Sequence, residues 1–232
     1  MTTFIDPATG YEVRVIRKPI RRIYLHVREG GSVEVTAPRR VSEREIRDFV
    51  AGKTAWLTKY MTLVPEKIKF HYVTGEIHHV FGRAYPLQVC LGMRDDVVAS
   101  TDGELQLVLR TKQREREKVF KAGMKRILLW EIEKQLEIWT KRMAIPESRI
   151  TGVTIRVMKS RWGSCRRVTG RFSFALDLVT KPKECIEAVV VHELCHLFAA
   201  GHGPDFYARM ETYLPDYKER DRLLASLPRE LI

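Results

Sequence analysis

Residues 188–198 read Ala-Val-Val-Val-His-Glu-Leu-Cys-His-Leu-Phe, an apolar run broken by two histidines and a glutamate. A run this apolar belongs inside a fold. Burying three ionisable side chains with it is costly unless something satisfies them. The spacing indicates what does. His192 and His196 are four residues apart, so on a helix they lie one above the other and aim two imidazoles at one point. Two such nitrogens hold a zinc ion at about 2.0–2.1 Å each. Glu193 follows the first histidine and projects beside that point, where a carboxylate can take a proton from an activated water. H-E-x-x-H on a helix therefore predicts a metal site with Glu193 as general base. Pro182 is expected to open the helix, and Gly201 to close it after a last turn reaching about Ala200.

A catalytic zinc wants three protein ligands and one open position. His202 is the expected third, six residues beyond His196, as in the longer signature H-E-x-x-H-x-x-G-x-x-H. The glycine of that signature falls on Ala199 here, and the chain has its glycine at 201. Asp205 and Glu211 are the rival ligands, and imidazole is preferred as the stronger donor to zinc. Cys195 lies on another face of the helix and is expected to be a packed residue. His26, His71, His78 and His79 lack ligand spacing, and neighbours such as His78 and His79 in a strand point to opposite faces.

A second cluster, Arg161-Trp162-Gly163-Ser164-Cys165, is expected near the same cleft. Arg161 is positioned to meet a substrate carbonyl or carboxylate and Trp162 to wall the cleft. A packed strand end is the plain alternative. Ser164 and Cys165 are not needed as nucleophiles where metal and water supply the chemistry.

The remaining pattern predicts an α+β fold: a strand-rich N-terminal region, 1–110, with one capped helix, and a catalytic domain, 111–232, carrying the H-E-x-x-H helix. Residues 13–16, 23–27 and 33–36 read as strands, with Glu29-Gly30-Gly31-Ser32 as the turn of a hairpin that Pro38 ends. Ser42 and Glu45 form a capping box, followed by an apolar face of Ile46, Phe49, Val50, Trp56, Leu57 and Tyr60. Residues 78–81, 85–89 and 105–109, with a short strand between turns at 95–96 and 101–104, predict a meander. Residues 113–143 are helical and heavily charged, with Val119, Met124, Ile127, Leu128, Trp130, Leu136, Ile138 and Trp139 on the buried side, and are expected to join the two regions. Residues 171–176 alternate strictly, as a strand with one buried face does. Two short helices are expected over 206–214 and 216–227.

The chain has 232 residues and a net charge of +12. Such a charge attracts polyanions, so nucleic acid is a possible partner through a basic surface, although no nucleic-acid motif accompanies it. No basic segment followed by an apolar one opens the chain, and no run is long enough to span a bilayer, so neither a secretory leader nor a membrane partner is expected. Cys90, Cys165, Cys185 and Cys195 form no CxxC pair, which fits free thiols and a cytoplasmic location.

The chain resembles the YgjP-like metallopeptidases, within the broader SprT-like and WLM zinc peptidases. The resemblance rests on residues 23–27, 33–38 and Ala55-Trp56-Leu57, on Phe81-Gly82-Arg83-Ala84-Tyr85, and on Lys159-Ser160 leading into Arg161-Trp162-Gly163-Ser164-Cys165. Residues 191–197 and His202-Gly203-Pro204-Asp205-Phe206 complete it. It implies a zincin-type fold, a zinc ion held by His192, His196 and His202, and hydrolysis of peptide bonds in a protein or peptide substrate. The competing expectation is a non-enzymatic basic adaptor that holds zinc structurally and binds nucleic acid.

Overall fold

Alternating valines build the first of two units, Met1–Lys69. The structure, a computed structural model, describes residues 2–27, 32–63, 70–100 and 103–229, the side chains of 59–63 excepted. Strands β1 (Thr2–Ile5), β2 (Glu12–Lys18), β3 (Tyr24–Val27) and β4 (Val33–Pro38) form a sheet in the order β1-β2-β4-β3. Val13 and Val15 of β2 and Val33 and Val35 of β4 point to one face. There they pack with Phe4, Ile46, Val50 and Leu57, each such side chain contributing about 1.5–3 kcal/mol by leaving water.

The predicted hairpin is present as the antiparallel pair β3–β4. Its Glu29-Gly30-Gly31 turn lies outside the described residues. The parallel pairing of β2 with β4 is an addition that local pattern does not contain. The capping box forms as read: the Ser42 hydroxyl accepts from the Glu45 N–H, and the Glu45 carboxylate accepts from the Ser42 N–H. The helix behind it is two helices, α1 (Glu43–Ala51) and α2 (Thr54–Leu63), divided at Gly52. The break takes Trp56 off the expected apolar face, leaving it exposed while Leu57 is buried. The side chain of Tyr60 lies outside the described ones.

In the second unit, Phe70–Ile232, strands β5 (Ile77–Val80), β6 (Arg83–Leu91), β7 (Asp96–Ala99) and β8 (Leu105–Leu109) form a sheet in the order β5-β6-β8-β7. This is not the expected meander. β8 returns between its neighbours, antiparallel to β7 and parallel to β6. That insertion buries Leu105, Leu107 and Leu109, which an edge position would leave open on one side. Thr101 and Asp102, part of the expected turn, lie outside the described residues.

Helix α3 (Arg116–Arg142) packs on this sheet. Its buried stripe is Phe120, Met124, Leu128, Ile132, Leu136 and Trp139, the i, i+3 and i+4 spacing of one helix face. Trp130 and Ile138, expected on the buried side, are exposed. Gly123 allows the close approach: a Cβ there would sit 2.4 Å from Val97 Cβ. α3 also braces the helix that carries the motif. Trp139 Nε1 donates to Glu187 at 3.0 Å, and buried Glu131 pairs with Lys183 at 3.0 Å.

The third sheet is β10 (Gly163–Arg166), β11 (Arg171–Ala175) and β9 (Gly152–Arg156), with β11 central. β11 buries Phe172 and Phe174 on one face, as its alternation predicts. α4 (Lys183–Cys195), α5 (Pro204–Tyr213) and α6 (Tyr217–Ser226) complete the chain. The fold is α+β, and among the described residues no helix is long and apolar enough to cross a membrane.

Candidate metal centre

α4 opens after Pro182 as expected and is buried along most of its length. Its end differs from the sequence reading. The α-helix stops at Cys195 with His196 as C-cap, five residues before Ala200. Leu197 and Phe198 donate back three residues, to Leu194 and Cys195 at 3.0 Å each, which tightens the last turn. His196 itself holds the new path, because its Nδ1 lies 3.2 Å from the Ala199 carbonyl. A carbonyl only accepts, so the proton is on Nδ1 and the Nε2 lone pair is left for a ligand.

The early stop lets the chain turn back at once. His202 arrives beside His192, Nε2 to Nε2 at 3.0 Å, and ligand nitrogens of His192, His196 and His202 all lie within 4.8 Å of one another. Tetrahedral ligation at 2.0–2.1 Å places nitrogens about 3.3 Å apart, so the cluster is close to the size a single ion requires. Neither rival ligand joins it. Glu211 is held by Lys218 at 2.7 Å, and Asp205 sits exposed in the first turn of α5.

Beneath the three imidazoles lies Phe206, fully buried, its ring centroid 4.8 Å from each of theirs. Pro204 in the first turn of α5 starts that helix, and Phe206 follows within the same turn. The sequence places Phe206 at the start of a short helix and in a family motif. Its role as the platform for all three rings needs the fold.

Burial, reinforced by His196 and His202, pushes His192 down to about 4. Burial also lowers His196, against the Ala199 hydrogen bond that raises it. Both are neutral imidazoles at pH 7, the form that binds a metal. Glu193 is 5% exposed. Burial pushes it up to about 7, opposed by the nearby Arg161 charge and by the Cys165 N–H that the carboxylate accepts. Its Oε2 is buried without a hydrogen-bond partner in the structure.

β10 sets where that carboxylate sits. Its pairing with β11 occupies one edge, and the Cys165 N–H reaches Glu193. Gly163 closes over the same side chain: a Cβ there would stand 2.5 Å from Glu193 Oε1 and 2.7 Å from its Cγ. Gly163 was read as part of a cluster, without this task.

The three histidines and Glu193 open into a cleft of about 560 Å³ that Arg161, Trp162, Ser164, Arg167 and Leu224 also line. Arg161 and Trp162 are thus brought to the histidine cluster. Trp162 is fixed from behind by Arg229, whose guanidinium lies 4.0 Å from its ring centre and donates to the Met158 carbonyl at 2.8 Å. Nothing in the sequence near residue 229 signals this contact, which joins segments 71 residues apart.

The YgjP-like, metallopeptidase domain family matches residues 21–227. Comparison with curated proteins returns no match. Among solved structures, the metallopeptidase zymogen of Pyrococcus abyssi abylysin is similar over 44% of this chain and 99% of that one, at 23% identity and a TM-score of 0.37. The metallopeptidase zymogen of Methanocaldococcus jannaschii jannalysin is similar over 40% of this chain and 93% of that one, at 21% identity and a TM-score of 0.36.

Proposed function

Because the chain belongs to the YgjP-like metallopeptidase family and is thereby a zinc-dependent hydrolase, we propose that His192, His196 and His202 are the metal ligands, and that Glu193 is the general base of a zincin-like site within residues 111–232. The donor set supports the metal: three imidazoles converge, two held neutral by burial, around a point faced by a carboxylate with one oxygen unpartnered. When bound, a zinc ion supplies Lewis-acid polarisation of a carbonyl and of water.

The chain's own residues do the rest. His196 donates Nδ1–H to Ala199 and so presents its other nitrogen. The Cys165 N–H and Gly163 hold Glu193 in one position. Glu193 takes the proton of the attacking water on Oε2 and passes it to the departing amine. Arg161 stands at the cleft with a positive charge suited to a substrate carbonyl or carboxylate, and Trp162 forms a wall. The substrate is a peptide segment in extended form, laid along β10. Four free cysteines support a cytoplasmic setting for the reaction.

The observation that carries this reading is the buried Glu193 carboxylate beside the histidine cluster. A zinc that only braces a nucleic-acid adaptor has no use for it. The test is hydrolysis of a fluorescently labelled unfolded protein by zinc-loaded protein, with Glu193→Gln and His202→Ala in parallel. Glu193→Gln is expected to keep stoichiometric zinc and lose turnover by at least about 100-fold. His202→Ala is expected to lose zinc to a chelator that wild type resists. Full turnover by Glu193→Gln would refute the assigned base.

A further inference from the structure

The first unit carries a surface that the metal chemistry does not use. Residues 1–69 hold 14 Lys and Arg against 8 Asp and Glu. There is no acidic residue between Glu12 and Glu29, or between Glu34 and Glu43. The sheet gathers the cations of these stretches. β2 and β4 run parallel and finish together, with Lys18 opposite Pro38. β3 starts at the same end, with Tyr24 opposite Thr36. Lys18, Arg21, Arg22, Arg39 and Arg40 therefore share one end of the sheet, all exposed. Among the described residues none of the five has an ion pair. The end is built rather than loose. Arg17 reaches across from β2 and donates to the Pro38 carbonyl at 3.0 Å and to the Val41 carbonyl, holding the turn that displays Arg39 and Arg40.

Beside these cations the outer face of the sheet presents rings. Tyr24 and His26 alternate with the inward Leu25, so they lie on the face opposite the valine core. Their rings stack at 6.3 Å with 21° between planes, and Tyr24 is 49% exposed. Lys18 follows the same alternation on β2 as exposed Arg14. A row of cations with ring faces alongside matches one polymer in both features: phosphates at regular spacing and bases with flat π faces. An anionic bilayer would use the charge and leave the stacked rings without a counterpart. Duplex DNA hides its base faces.

We propose that this end of the first unit is a docking surface for single-stranded nucleic acid, with Lys18, Arg21, Arg22, Arg39 and Arg40 on the phosphates and Tyr24 stacking on a base. The surface uses none of the proposed metal-site residues, and Glu193→Gln protein is expected to bind as wild type does.

The experiment is fluorescence anisotropy of a labelled oligothymidylate against the full chain across a salt series. Five phosphate contacts on a single strand give a slope of log K on log salt of about −3.5. Replacing Arg21, Arg22, Arg39 and Arg40 with Ala is expected to bring it to about −0.7. The same four as Gln serve as a second variant should the alanines disturb folding. A control removes four exposed cations of the second unit, Lys112, Lys125, Arg156 and Arg171, and is expected to keep the steep slope. Tyr24→Ala is expected to weaken binding roughly tenfold with the slope unchanged. Equal losses in the patch and control variants would reduce the effect to net charge and overturn the proposal. It is also overturned by no binding at low salt, by duplex bound as tightly as single strand, by an unaffected Tyr24→Ala, or by preference for phosphatidylserine vesicles.

Discussion

Gly163 is the residue through which β10 bears on Glu193, the proposed base, and Gly163→Ala tests that directly. The added methyl would lie 2.5 Å from Glu193 Oε1, 2.7 Å from Cγ and 2.8 Å from Cδ. Ordinary contact needs about 3.4 Å, so the pair must separate by roughly 0.6–0.9 Å. Gly163 is not in the left-handed region, so alanine meets no backbone penalty and the whole effect falls on this contact. Two responses are open to the protein. If the carboxylate swings away, folding is little affected and the base is misplaced. If the strand yields, overpacking costs about 1–3 kcal/mol of stability as well. A displacement approaching 1 Å at a reacting group costs about 100-fold in rate, so turnover is expected to fall roughly 30- to 100-fold, or about 2–2.7 kcal/mol of barrier. The histidines are untouched, and zinc content is expected to match wild type. The assay is turnover of a labelled peptide by protein of measured zinc content, with thermal unfolding in parallel. Turnover within about twofold of wild type at equal zinc would show that β10 does not position Glu193.

Two further outcomes follow from other parts of the second unit. Glu76 accepts from the His71 and Tyr72 N–H groups at 2.7 and 2.8 Å and pairs with His78 at 2.8 Å. Burial raises its carboxyl, and these partners together outweigh that and hold it below its ordinary value. Glu76→Ala strands two backbone donors and is expected to cost about 2 kcal/mol, a fall in Tm of roughly 4–8 °C. A depressed carboxylate stabilises above its unfolded pKa and loses that contribution as pH falls through the folded one. The gap between wild type and variant should therefore close in acid, and a gap constant from pH 7 to pH 3 in calorimetry would contradict the account. Burial also pushes the Cys185 thiol up to about 11, with the Glu184 charge adding to it. Its thiolate fraction at pH 7.5 makes alkylation roughly 300-fold slower than for a free thiol of pKa about 8.5, rising with pH. Labelling of Cys185 in native protein at the free-thiol rate would refute this.

The residues of the proposed chemistry are legible in local spacing alone. His192, Glu193 and His196 are fixed by one helix's period, and the apolar residues around them require that whatever they hold be buried. The Ser42–Glu45 cap and the alternation of β11 are equally local, and each needs only neighbours within a few residues. Other features depend on contacts between distant segments, and there the pattern ran out. Whether β8 is an edge or a centre depends on which distant strands pair with it, and no periodicity encodes that. The apolar side of α3 follows from which face meets β7, so Trp130 and Ile138 were misplaced although the helix was not. The end of α4 illustrates the division well. Glycine chemistry favours a stop at Gly201, but the His196–Ala199 hydrogen bond and the arrival of His202 over Phe206 close the helix at Cys195. Likewise the sequence shows Gly163 and Arg229 as a glycine in a strand and an arginine near the end. Only the folded chain sets one against Glu193 and the other over Trp162, because packing joins residues that spacing keeps apart.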